Sequence, residues 1–356
     1  MQKFTYNTPV CAAYFTLILQ TASAMPEHQL PVILEEIPEK EMARYPVRRT
    51  KGVKTFVRTK PGGVLMPATY AHLAKRFYNL ELRSDDVVVA AYPKSGTVWV
   101  AEVVWTLLNP HALDTLEAKP HHHRATLLDM DFLHPTRAED NSPLLQRFLS
   151  ECPGGRLEDG MTLQLAAVAP SPRILKTHLP INLLNPDMLN ICKVVYVARN
   201  PRDVCVSLYR FLGMMKGVTV PVEFQDFAES FMSGSLHYGP YWDHLEQAWR
   251  HRDHPNLHVV FYEDMKKDVL QELKKLSSFL GRSLTDDQLR SIVEYTSFGR
   301  MKARDAKFPV VDLNGSFFRK GEIGDWKNMA SPQLDALMDG WIKEKSRGTG
   351  ITFKYE

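Results

Sequence analysis

The stretch from Asp86 to Leu108, DVVVAAYPKSGTVWVAEVVWTLL, decides the architecture. Asp86 to Ala91 is a short β-branched run, the pattern of a strand buried on both faces. Thr97 to Leu108 reads as a helix. The segment between them, Tyr92-Pro93-Lys94-Ser95-Gly96-Thr97-Val98-Trp99, joins a strand end to a helix start. Gly96 permits close backbone approach, and the free amides of a first helical turn point at an anion. Ser95 and Thr97 add hydroxyls and Lys94 a positive charge, so the loop is built as a phosphate cradle. It is not a Walker A loop, because here the lysine precedes the glycine. Taken alone, the loop is equally explained as a helix start with an exposed lysine.

The same strand-then-helix alternation recurs along the chain. Arg173 to Lys176 is a short strand. Lys193 to Ala198 (KVVYVA) is another, followed by a helix from about Arg202. His258 to Tyr262 (HVVFY) is a fourth, again followed by a helix, and Thr285 to Tyr295 and Gln333 to Lys345 are amphipathic helices. This order predicts an α/β fold, a mostly parallel sheet with helices on both faces. Tyr70 to Leu80 is also helical in pattern, and Lys60-Pro61-Gly62-Gly63 marks a turn. Residues 1 to 45, with Glu35, Glu36, Glu39, Glu41, Pro31 and Pro38, read as a solvated tail. Residues 46 to 356 read as one domain. The polar segment from Asn109 to Pro172 is expected to hold helices and loops around a site.

Composition narrows the function classes. Charged residues make up 24% of the chain and the net charge is +3, too balanced for a general nucleic-acid binder. The four cysteines, Cys11, Cys152, Cys192 and Cys205, form no CxxC pair, and Cys192 and Cys205 read as buried thiols in a reducing compartment. Val10 to Gln20 followed by Thr21-Ala22-Ser23-Ala24 is like a signal peptide, but the run is too short to span a bilayer and only Lys3 precedes it as a basic residue. A cytoplasmic protein is the expectation, with secretion the minority reading and no membrane attachment. His121-His122-His123 has no partner motif and reads as a solvated loop, and no metal is expected.

Three further motifs carry chemistry. Leu175-Lys176-Thr177-His178-Leu179-Pro180 puts Lys176 and His178 at the carboxyl end of a strand, where ligands bind in open α/β sheets. A histidine there can accept a proton from a hydroxyl, or it can simply cap a turn. In Val197-Ala198-Arg199-Asn200-Pro201-Arg202-Asp203-Val204-Cys205-Val206-Ser207, Arg199 suits a phosphate, while Arg202 and Asp203 could be capping and surface charge. Phe317-Phe318-Arg319-Lys320-Gly321-Glu322-Ile323-Gly324-Asp325-Trp326 offers two cations before a glycine.

In order, YPKSGT, KTHLP, ARNPRDVCVS, FYEDM and RKGEIGDW resemble the cytosolic sulfotransferases, which use 3′-phosphoadenosine 5′-phosphosulfate as donor. The resemblance runs from about Pro46 to the C-terminus and is most like arthropod members, which include a retinol dehydratase type. It implies that Lys94, Ser95, Gly96 and Thr97 bind the 5′ end of the donor and that Trp99 stacks on adenine. Val98 stands where many relatives have a second threonine. The resemblance further implies Arg199, Ser207, Arg319, Lys320 and Gly321 at the 3′-phosphate. Tyr262, Thr296 and Phe298 fall on the adenine side, His178 is the base, Lys176 lies beside it, and Phe211 lines the acceptor pocket. Met214 and Met215 could add apolar pocket surface or core. The expected partner is a small hydroxyl-bearing acceptor, a phenol or alcohol. The dimer motif common in relatives is altered at Lys327-Asn328-Met329-Ala330-Ser331-Pro332-Gln333, leaving a homodimer possible. A retinol-dehydratase-like elimination and a non-catalytic nucleotide or hydrophobic-ligand binder are the alternatives. A kinase is disfavoured by the missing Walker A order.

Overall fold

The computed structural model describes residues 27–42, 45–49, 55–113, 124–133, 142–221, 223–307 and 313–354. The leader-like stretch, the histidine triplet and Cys11 lie outside them. The strands among the described residues are, in chain order, β1 (Ile33–Glu36), β2 (Arg48–Arg49), β3 (Phe56–Lys60), β4 (Leu65–Pro67), β5 (Val87–Ala90), β6 (Thr126–Leu127), β7 (Ile174–Thr177), β8 (Lys193–Ala198), β9 (Val218–Thr219) and β10 (Leu257–Phe261).

Five of them make the central sheet, in the order β10-β8-β5-β7-β6, every pairing parallel. β5 and β7 are buried at every position. Alternate residues feed opposite faces: Val88, Ala90, Leu175, Val194 and Tyr196 enter one core, while Val87, Val89, Ile174, Val195 and Val197 enter the other. That two-sided burial is why these strands read as unbroken apolar runs. The helices Thr97–Leu108, Pro201–Met214, Asp286–Tyr295 and Pro332–Ser346 lie where their sequence patterns predict them, within a residue or two. Among the described residues no helix is long and apolar enough to cross a membrane.

Three parts of the structure depart from the sequence reading. β1 is not a solvated tail: it pairs antiparallel with β3 in a sheet ordered β1-β3-β4, and Val32, Ile37 and Tyr45 are buried beside it. Both of its glutamates are exposed and only Leu34 is partly buried, so the local composition hid the strand. The turn at Lys60–Gly63 closes a β3–β4 hairpin that short strand length concealed. The segment from 109 to 172 contributes β6, the fifth strand, whose two residues carry too little pattern to be read.

The amino ends of β5 and β7 are tied by a buried ion pair. Arg173 Nε donates to Asp86 Oδ1 at 2.7 Å, and its Nη1 and Nη2 donate to the carbonyls of Ala166 and Glu81, both at 3.0 Å. Removing one partner leaves a desolvated charge. Arg173→Met is expected to lower the unfolding free energy by about 3–5 kcal/mol, checked by urea denaturation.

Candidate functional site

The carboxyl end of the central sheet gathers the sequence motifs. Ala90 lies in register with Thr177 on one side and Tyr196 on the other, and Phe261 with Ala198. The chain therefore leaves β5, β7, β8 and β10 at one edge, delivering the 91–96 loop, His178, Arg199 and Tyr262 together.

The loop after β5 is wound tightly. Lys94 has φ 70° and Gly96 has φ 109°. At Gly96 a methyl group would come 2.8 Å from the ring of Tyr262, so both conformation and space require glycine. Gly96 caps the helix Thr97–Leu108 with no side-chain acceptor, leaving its first amides free for an outside anion. Ser95 Oγ and Thr97 Oγ1 are buried and have no hydrogen-bond partner. Trp99 Nε1 and Arg199 Nε share that condition. Buried polar atoms are normally paired, so these four atoms suit an anionic, hydrogen-bonding ligand.

Arg199 joins two of the loops. It donates to the carbonyls of Lys94 and Glu322, both at 3.1 Å, and its guanidinium lies 4.2 Å from the centre of the Tyr262 ring. Its own carbonyl accepts from Tyr241. Arg319 and Lys320 both bond to Asp325, a partner the sequence reading quoted but gave no role. Burial pushes the Asp325 carboxyl up, but the two cations prevail and hold it below the usual range. Gly321 has φ 68°, and a methyl group there would strike the Phe298 ring. Ser207 is half-buried two turns into the helix Pro201–Met214. The Thr296 hydroxyl donates back to the Ile292 carbonyl at 2.7 Å. Val98 is half-buried in the first helical turn.

Arg202 and Asp203 are not surface charge. Arg202 is buried, stacks 4.4 Å from the Trp326 ring and pairs with Asp339 at 3.0 Å. Asp203 accepts from the amides of Gly324 and Trp326 at 2.8 and 3.3 Å. Together they pin the fourth motif onto the helix that follows Arg199. In the altered dimer motif, Ser331 caps the helix Pro332–Ser346 by accepting from the amide of Leu334, and Pro332 takes its first position.

Lys94 Nζ sits 3.9 Å from the ring centres of both Phe211 and Phe317. Burial, with Arg199 and Arg319 near, pushes its ammonium down to about 7. Phe211 meets Phe317 edge-on at 5.8 Å, a contact that no local pattern marks. Met215 packs into the core, whereas Met214 is half-buried beside Gly315.

His178 is half-buried, and its ring orientation is determined. The Ala91 carbonyl, 2.8 Å from Nδ1, can only accept, so Nδ1 carries the proton and Nε2 keeps its lone pair. Burial, aided by Lys94 and Lys176 against that hydrogen bond, pushes the imidazole down to about 4. Buried Lys176 is pushed down to about 8, chiefly by burial. The site thus presents a neutral imidazole as proton acceptor beside a cationic anion cradle.

The sulfotransferase-domain family model matches residues 84–350, and the chain belongs to that family. It is a sulfotransferase. Sulfotransferase 1E1 of Bos taurus is 32% identical over 306 residues, covering 83% of this chain and 95% of that protein. Among solved structures, retinol dehydratase in complex with retinol and PAP superposes with TM-score 0.77 at 28% identity, covering 91% of this chain and 99% of that one. Mouse sulfotransferase SULT7A1 complexed with PAP gives TM-score 0.62 at 28% identity, covering 81% and 94%.

Gly96→Ala is expected to destabilise the folded protein by about 1–3 kcal/mol, the scale of a strained backbone position. Thermal denaturation checks it. A shift no larger than that of an exposed-loop alanine would contradict the constraint drawn from Tyr262.

Proposed function

We propose that this protein transfers a sulfuryl group from 3′-phosphoadenosine 5′-phosphosulfate to the hydroxyl of a small hydrophobic acceptor. The observation that carries this is the pairing of His178, neutral and with Nε2 available, with a loop whose buried Ser95 and Thr97 hydroxyls lack partners. When bound, the donor supplies a sulfuryl group on a phosphate leaving group. Lys94, Ser95, Gly96 and Thr97 hold its 5′ phosphate, with the amide of Val98 in place of a second hydroxyl. Arg199, Ser207, Arg319, Lys320 and Gly321 hold the 3′-phosphate. Trp99, Tyr262, Thr296 and Phe298 enclose the adenine.

His178 Nε2 takes the acceptor proton. Lys94 places positive charge near the leaving oxygen, and Lys176 holds the sulfuryl oxygens. Positioning and charge stabilisation supply most of the catalysis in such transfers. Phe211 borders the acceptor. We place the protein in the cytoplasm, where the buried free thiols of Cys152, Cys192 and Cys205 suit a reducing environment.

Purified protein given donor and a panel of phenols and alcohols is expected to release the desulfated nucleotide, and His178→Ala to lower kcat on the order of 10²–10⁴-fold. An unchanged rate in that variant would remove His178 from the mechanism. Because the imidazole is shifted to about 4, it stays a base until the pH falls near that value. The acid limb of kcat/KM is therefore expected near pH 4, well below the ordinary histidine value of about 6.5.

A second outcome is favoured by the coverage of the retinol dehydratase structure, 99% of that chain at TM-score 0.77. With an allylic alcohol such as retinol, transfer would be followed by elimination. Recovery of the sulfate ester alone would exclude it.

A further inference from the structure

We propose that Asp129 is a positioning residue for the base His178, an inference that rests on the transfer reading above. Asp129 belongs to the segment that carried no motif. β6 brings it to the site: Thr126 and Leu127 pair with Leu175 and Lys176, and the amide of Leu128 donates to the Lys176 carbonyl at 3.0 Å. That is the last ladder bond on this side of β7. On the other side the ladder closes where Ala91 N–H reaches the Thr177 carbonyl at 3.3 Å. The next amide, that of His178, lies beyond the sheet and needs an acceptor.

Asp129 supplies it. Its Oδ2 accepts from His178 N–H at 2.7 Å and from the Tyr238 hydroxyl at 2.8 Å, while Oδ1 accepts from the Thr177 hydroxyl at 2.7 Å. The side chain is fully buried. Tyr238, in the left-handed region at φ 64°, sets its ring edge-on to His178 at 5.8 Å. The backbone on the other side of the His178 Cα is held by His244, whose Nε2–H donates to the His178 carbonyl at 2.9 Å. Tyr196 completes that arm with a 2.7 Å bond to His244 Nδ1. With Nδ1 of His178 on Ala91, the base is fixed at three points, and Nε2 has one place to be. Small displacements of a reacting group are costly, which gives this clamp its effect on rate.

Asp131 is the control. It is buried two residues away and caps the helix Met161–Val168, accepting from the amides of Thr162 and Leu163 at 2.7 and 3.1 Å. It has no bond to His178.

The test compares two acceptors at mildly alkaline pH, an aliphatic alcohol that needs a base and para-nitrophenol, which is largely ionised there. Parental turnover of both is the condition set by the transfer reading. In Asp129→Ala, kcat per folded enzyme is expected to fall on the order of 10²-fold with the alcohol, the size of a general-base contribution, and only about threefold with para-nitrophenol. Affinity for the desulfated nucleotide stays at the parental level. Asp129→Asn keeps one oxygen for His178 N–H and Tyr238, turns its amide toward Thr177, and restores most alcohol turnover. Asp129→Ser reads the same ratio if the alanine variant does not fold. Asp131→Ala loses stability without changing the ratio of the two acceptors. Equal losses with both acceptors in Asp129→Ala, or the same acceptor split in Asp131→Ala, overturn the proposal.

Discussion

The register of β5 with its two neighbours is the constraint on which the rest of the site depends. Parallel strands hydrogen-bonded on both sides of β5 cannot slip by one residue without moving every side chain to the opposite face. Val88 and Val89 would then exchange cores, so the register is held by burial on both sides of the sheet. Once it is held, Ala90, Thr177 and Tyr196 end level with one another. The 91–96 loop, His178 and Arg199 then meet without any contact among them being needed to bring them together.

Around that edge, charge is arranged in pairs that leave specific atoms over. Arg199 spends two of its donors on the carbonyls of Lys94 and Glu322 and keeps Nε unpaired. Arg319 and Lys320 share one carboxylate, Asp325. The loop that carries both cations thus has its own local acceptor. Lys94 sits between two aromatic rings, which desolvate it and lower its pKa while still attracting its charge. In each case the cation is held in place by neighbours on the same edge of the sheet.

The contacts also connect the two halves of the site. Phe211, Phe317, Phe318 and Phe298 follow one another at ring separations of 5.8, 5.3 and 6.0 Å. They run from the helix after Arg199 to the helix that begins at Phe298. Arg202 and Asp203 anchor the intervening loop from below through Trp326 and Gly324. Two residues that look like ordinary surface charge in the sequence therefore hold the loop around Gly324 and Trp326 in place.

What the sequence by itself determined was local: buried strands as apolar runs, the helices behind them, a glycine where backbone must turn left-handed, and cations set at strand ends. These are legible because each depends on residues within one or two turns. Gly96 is an example, since its neighbours alone make a tight strand-to-helix loop. What only the tertiary structure decided lies across the chain. β1 was hidden because its outward glutamates dominate a four-residue strand, and β6 because two residues have no period. Asp129 meets His178 across 49 positions, and Asp203 meets Gly324 across 121. No local pattern marks such partners, because a buried carboxylate is specified by the donors that surround it, and those donors converge only when the sheet has formed.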